Sequence, residues 1–252
     1  MMKIILILFM SLISLRAEII HESGNLVEFF GGIAPESAYD NWVSHVTEGI
    51  ASVGYNDYGP PWLDVQSNGF GTHTLLEEGS PTLDYWKTIF FHLINNDTTL
   101  VDSLLTDSLE SFYYELVLFQ DTIVNRTFHI LREKLDSSFI DLNLPNISED
   151  DVRGSFRNGW GLYIINLEAT RNQVLVQVPH PCDDFIAPYI AMDLFLEIDA
   201  KGFMINGTGR EVLWNEDGSY TNGKSLSDPT RYRHTVFQLF QEIISEPLFD
   251  IY

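Results

Sequence analysis

Gln173-Val-Leu-Val-Gln-Val-Pro-His-Pro-Cys-Asp-Asp184 is the stretch on which the fold turns. Its apolar run ends in His180, and two carboxylates, Asp183 and Asp184, follow within four residues. A short buried strand that delivers a histidine and acids at its C-terminal end is how open α/β sheets commonly present a metal or catalytic group. Imidazole nitrogen and carboxylate oxygen are both good zinc ligands.

Working outward, residues 188–200 carry apolar side chains at helical intervals (Ile190, Met192, Leu194, Phe195, Ile198), and residues 202–206 form a strand that opens into Gly207-Thr-Gly-Arg-Glu211. Ser227-Asp-Pro229 then supplies a helix start with proline in the first turn, and a helix over 230–244 is expected. Upstream, residues 159–168 read as a strand and 169–172 as a turn leading into the strand over 173–178. Strand, helix and strand in that order predict a parallel βαβ element with a right-handed crossover. A third strand is the next expected element, but the chain ends at Tyr252. The fold class is therefore α/β: a mixed, partly parallel sheet flanked by helices, incomplete at its C-terminal end and preceded by a largely helical portion.

That preceding portion has a different texture. Ser37 to Gly49 carries Trp42, Val43, Val46 and Ile50 at helical spacing, which predicts a short helix. His45 and Glu48 share one of its faces, a spacing that suits paired metal ligands but more often an ordinary surface pair. Gly59-Pro60-Pro61 and Asn68-Gly69-Phe70-Gly71 signal an irregular loop. Helices are expected over 83–95, capped by Thr82 or Asp84, over 100–118, and over 127–135. His73, His92 and His129 have no companion at ligand spacing and read as structural, and His234 falls inside the last expected helix. The charge run Glu149-Asp-Asp151 marks a surface connection, so the division is 1–17, 18–150 and 151–252.

Lys3, the apolar run from Ile4 to Leu15, and Arg16-Ala17-Glu18 have the layout of a secretory signal peptide cleaved after Ala17. The run is short of the roughly 20 apolar residues that a membrane span needs. Export to a periplasmic or extracellular compartment follows, with no membrane association after signal removal. The formal charge is −22, and removal of Lys3 and Arg16 leaves 12 basic against 36 acidic residues. Such a surface repels nucleic acid and anionic lipid. Aromatic content of 13% with dispersed acids argues for a folded chain, not a disordered one. Cys182 is the single cysteine, so no intrachain disulfide forms; its position beside His180 raises a thiol nucleophile or ligand, against the more ordinary reading of a small packed residue. Sequons stand at Asn96, Asn125, Asn146 and Asn206.

If the strands ending at His180 and Asn206 are parallel neighbours, then His180, Asp183, Asp184, Arg210 and Glu211 share one sheet edge. His180 and one aspartate can supply two metal ligands, with Glu211 as a third or as a base, and a bound water would be activated toward a pKa of about 7. Arg210 is the fork for a substrate carboxylate, because guanidinium binds carboxylate through two parallel hydrogen bonds. The competing reading is a turn in which an aspartate caps the next helix and Arg210 pairs with Glu211.

Val178-Pro-His-Pro-Cys-Asp-Asp184, followed by Asn206-Gly-Thr-Gly-Arg-Glu211, resembles the N-formylglutamate amidohydrolase-like group within the zinc carboxypeptidase-like α/β class. Tyr39-Asp-Asn-Trp-Val-Ser-His-Val-Thr-Glu-Gly49, Gly69-Phe-Gly71, Gly159-Trp-Gly-Leu-Tyr163 and Lys224-Ser-Leu-Ser-Asp-Pro229 extend the likeness to secreted bacterial relatives. The resemblance implies zinc held by His180 and by Asp183 or Asp184, with a second histidine after a later strand. That later histidine has no counterpart here. The expectation is an exported zinc hydrolase of an amide or peptide bond next to a carboxylate, acting on a small molecule or peptide and cut short in this chain. The alternative is a non-catalytic secreted binding protein on the same scaffold.

Overall fold

The computed structural model describes residues 19–30, 73–107, 112–134, 136, 138, 156–181, 184, 187–209 and 226–245. Their elements are β1 (Ile20–Gly24), α1 (Leu26–Phe30), α2 (Pro81–Ile94), α3 (Thr98–Asp107), β2 (Tyr114–Asp121), β3 (Arg126–Glu133), β4 (Leu162–Ile165), β5 (Arg171–Val178), α4 (Ala187–Glu197), β6 (Ala200–Ile205) and α5 (Val236–Ser245). The strands form one six-stranded sheet in the order β1-β2-β3-β4-β6-β5. β1 and β2 are parallel, as are β5 and β6, whereas the β2–β3, β3–β4 and β4–β6 pairs are antiparallel. The mixed α/β class read from the sequence is the observed one.

Both faces of the sheet are covered. On one, Leu26, Phe29 and Phe30 of α1 and Met192 and Phe195 of α4 join Val117, Phe128, Ile164 and Phe203. On the other, Trp86, Ile89 and Phe90 of α2 and Val236, Phe237 and Phe240 of α5 join Leu116, Leu131, Tyr163 and Met204. All four residues of β4 are buried, as a central strand covered on two sides requires.

Several local expectations need correction. The helix over 100–118 ends at Asp107, and the chain is extended again from Tyr114. The helix over 127–135 is instead strand β3, which pairs with β2 from Tyr114↔Glu133 to Asp121↔Arg126. A short apolar run fits a buried strand and a helix equally well by period, and here the hairpin decides. Asp121 closes its turn by accepting from the Ile123 and Val124 amides at 2.7 and 2.8 Å, and Asn125 takes φ 52. A second oxygen of Asp121 accepts from Leu26 N, which starts α1. The residues before 150 thus place β1, β2 and β3 in the same sheet as the later strands.

The cap of α2 is Ser80, whose hydroxyl accepts from Thr82 N, with Pro81 opening the helix. α5 begins at Val236, not at Thr230, because Asp228 diverts the chain. Its side chain accepts from Thr230 N and its carbonyl from Arg231 N and Tyr232 N. Thr235 Oγ1 then accepts from Gln238 N. His234 consequently lies before the helix, not within it. The expected helix bearing His45 and Glu48 lies outside the described residues.

Candidate functional site

Strand directions define one edge of the sheet. The C-terminal ends of β5, β6 and β3 and the N-terminal ends of β2 and β4 lie along it. The parallel pairing expected from the sequence is present, with Val178 opposite Ile205 and Asn206 N bonded to Val178 O at 2.9 Å. His180 sits just beyond this pairing. Its Nε2 is 2.9 Å from Oδ1 of Asp228, and the aspartate is 1% exposed while the imidazole is 17% exposed.

Asp228 is held through both of its carboxylate oxygens. Oδ1 also accepts from Thr230 N at 2.9 Å and Thr230 Oγ1 at 2.6 Å, and Oδ2 lies 3.3 Å from Arg231 Nε. Burial alone would raise its pKa, but the hydrogen bonds from His180 and Thr230 outweigh burial and hold the carboxyl below its ordinary range. Facing this ionised acceptor, His180 Nε2 is the donor of the bond. No hydrogen bond from Nδ1 is formed among the described residues.

Asp184 is exposed, and it meets His180 through the main chain: its amide donates to His180 O at 3.0 Å and its carbonyl accepts from Ala187 N at 2.7 Å. That turn leads from β5 into α4. Asp183, Cys182, Arg210 and Glu211 lie outside the described residues. Sequence reasoning missed Asp228 and Arg231. Asp228 was legible only as part of a helix start, and nothing at a separation of 48 residues announces its bond to His180.

The surrounding loops are packed backbone against backbone. A Cβ on Gly207 would stand 2.6 Å from Gly159 C and Gly161 N, and one on Gly161, where φ is +109, would stand 2.3 Å from Ile205 O. Asn206 Nδ2 donates to Thr208 O and Ser227 O, and Ser227 Oγ donates to Gly209 O at 3.0 Å. These bonds join the turn after β6 to the segment that carries Asp228. Glu133, at the end of β3, accepts from the amides of Asn158, Gly159 and Trp160 at 2.5, 2.9 and 3.4 Å. Burial raises its pKa to about 8, against the pull of those amides.

His73 reaches the same loops by a bond to the Gly159 backbone, while its Nδ1 is shielded from solvent and lacks a partner. Burial lowers its pKa to about 4. His129 also has a shielded Nδ1 without a partner, and His92 pairs with Asp97 at 3.5 Å. A cavity of about 130 Å³ lies at the opposite edge, lined by Val124, Arg126, Phe128, Asn166, Leu196 and Asp199, where Asp199 already pairs with Arg126.

Among the described residues, no group of three or more His, Cys, Asp or Glu side chains is placed to hold a metal, and no helix is long and apolar enough to cross a membrane. Among the described residues, His180 is the one histidine whose ring nitrogen meets a buried carboxylate. Comparison with family models, curated proteins and solved structures finds no match.

Proposed function

We propose that this protein is an exported zinc-dependent hydrolase of an amide or peptide bond next to a carboxylate, with His180 as a metal ligand through Nδ1. The observation that carries this reading is the His180–Asp228 pair at 2.9 Å. Metal-bound histidines almost always donate their other ring N–H to a carboxylate or carbonyl, which fixes the tautomer and raises ligand basicity. A buried, ionised Asp228 does this for His180. Asp183 or Asp184 in the following turn and Glu211 after β6 are the candidates to complete the set. Zinc, when bound, would supply an activated water near neutral pH.

The chain's own residues have separate tasks in this reading. Asp228 orients the imidazole, the Gly159–Gly161 and Gly207 contacts hold the two strand-end loops at a fixed spacing, and Arg210 receives the substrate's carboxylate. Export rests on the segment from Lys3 to Ala17. The test is zinc content of the purified full chain beside His180→Ala, together with hydrolysis of a panel of N-acyl amino acids. Equal zinc in both proteins would remove the metal from the reading. Zinc and N-acyl amino-acid binding without turnover would favour a binding protein on this scaffold.

A further inference from the structure

The sheet edge opposite His180 holds a cavity of about 130 Å³ to which the hydrolase reading gives no task. Three connections build it. The β2–β3 turn contributes Val124 and Arg126, the end of β4 leads to Asn166, and the passage from α4 into β6 brings Leu196 and Asp199. Phe128, 1% exposed and 5.6 Å from the Phe195 ring, closes the cavity from beneath, whereas Val124 is 40% exposed at its rim. An apolar cavity of about 150 Å³ takes up benzene, so this one has room for a single ring or a short branched chain.

The polar part of the wall is held by bonds of its own. Asp199 takes φ 53, a left-handed backbone uncommon outside glycine, and its carboxylate is surrounded by donors. Oδ1 accepts from Arg126 Nη1 and from Asn166 Nδ2, the latter at 2.9 Å, and Oδ2 accepts from Thr170 N at 2.9 Å. Asn166 Oδ1 in turn accepts from Glu168 N at 3.1 Å. The acceptors of the cavity are therefore largely spent. Its donors are not. Among the described residues the Arg126 side chain makes only the Asp199 bond, which leaves Nε and the second Nη of the guanidinium. Acceptors taken and donors open select a ligand that accepts hydrogen bonds. Asp199 already balances the guanidinium's charge, so an acid group alone gains little here. Burial of apolar surface against Val124, Phe128 and Leu196 must supply the rest.

We propose that this cavity binds a small carboxylic acid with a short apolar body, its carboxylate on Arg126 and its hydrocarbon part against Phe128 and Leu196. The site is separate from the His180 edge and stands whether or not the protein is a hydrolase.

The experiment titrates the full chain with benzoate, benzyl alcohol and acetate, with binding followed by calorimetry and the melting temperature of each protein recorded. Benzoate should bind saturably and roughly tenfold or more tighter than benzyl alcohol, the worth of one charge-assisted hydrogen bond. It should exceed acetate by at least a similar factor, since acetate brings no ring to bury. Arg126→Gln should lose the preference for the acid over the alcohol. Leu196→Trp fills the cavity from its apolar wall, leaves the Arg126–Asp199 pair in place, and should weaken benzoate and benzyl alcohol alike by roughly tenfold or more. His180→Ala should bind benzoate as wild type does. Absence of saturable benzoate binding, equal affinity for the alcohol, or unchanged benzoate affinity in Leu196→Trp would overturn the proposal. Loss of benzoate binding in His180→Ala would place the acid at the other edge and overturn it too.

Discussion

Replacing Glu133 by glutamine probes how the edge of the sheet is held. Glu133 is fully buried, and three successive amides, Asn158, Gly159 and Trp160, donate to it. Burial raises its pKa from an ordinary 4.5 to about 8, although the amides oppose that rise. The native protein therefore keeps a proton between these values that the unfolded chain releases. Stability from this group is fully present below the unfolded value and is lost as pH climbs through the folded one. One pKa unit corresponds to about 1.4 kcal/mol, so stability should fall by roughly 2 to 3 kcal/mol between about pH 5 and pH 7, and by about 5 kcal/mol in total by about pH 9. Glutamine has nearly the same shape and no titration. Urea unfolding of wild type and Glu133→Gln, followed by tryptophan fluorescence across that range, isolates the effect, because any fixed cost of the amide cancels in the pH dependence. The difference between the two proteins should move in favour of the variant by those amounts as pH rises. A difference that stays constant, or a wild type that gains relative stability toward neutral pH, would refute the account and mean that the amides hold Glu133 ionised.

Gly207→Ala should cost about 2 to 4 kcal/mol in the same unfolding assay, since the added Cβ meets backbone atoms at 2.6 Å that cannot rotate away; a loss under about 0.5 kcal/mol would show that the loops can separate freely. Asp228→Asn should lower zinc affinity by about ten- to a hundredfold without unfolding the protein, read by competition with a chromogenic chelator. Because the Asp228 pKa is depressed, its stabilising share is present above the unfolded value of 3.8 and is lost as pH falls through the folded value, so the variant should flatten acid unfolding below about pH 4. Arg132→Ala should destabilise by about 3 to 5 kcal/mol, because Glu22 and Glu115 lose the buried guanidinium that bonds both at 2.7 Å. Denaturant midpoints of that variant matching wild type would count against a structural role for the triad.

How much was legible varied with how far each feature depends on distant partners. The run Val174 to Val178 and the period of residues 188–200 give β5, α4 and β6 in order, and a strand–helix–strand unit of that length leaves parallel neighbours as the natural arrangement. The hairpin of β2 and β3 was misread because its apolar positions satisfy a helical period too. What selects extended chain there is pairing from Tyr114↔Glu133 to Asp121↔Arg126, fixed by a turn that Asp121 closes. His180 stood out from its neighbours alone. Asp228 did not, because Ser-Asp-Pro is an ordinary way to open a helix, and its bond to His180 spans 48 residues.

By itself, then, the sequence determined a mixed α/β chain with a histidine and acids at a strand end, since strand period, turn residues and charge are local properties. Only the tertiary structure decided that β1 to β3 join the same sheet, that Asp228 bonds His180 across the intervening chain, and that Arg231 shares that carboxylate. Those are contacts between segments far apart in the chain, chosen by burial and hydrogen-bond geometry once the sheet has brought them to one edge.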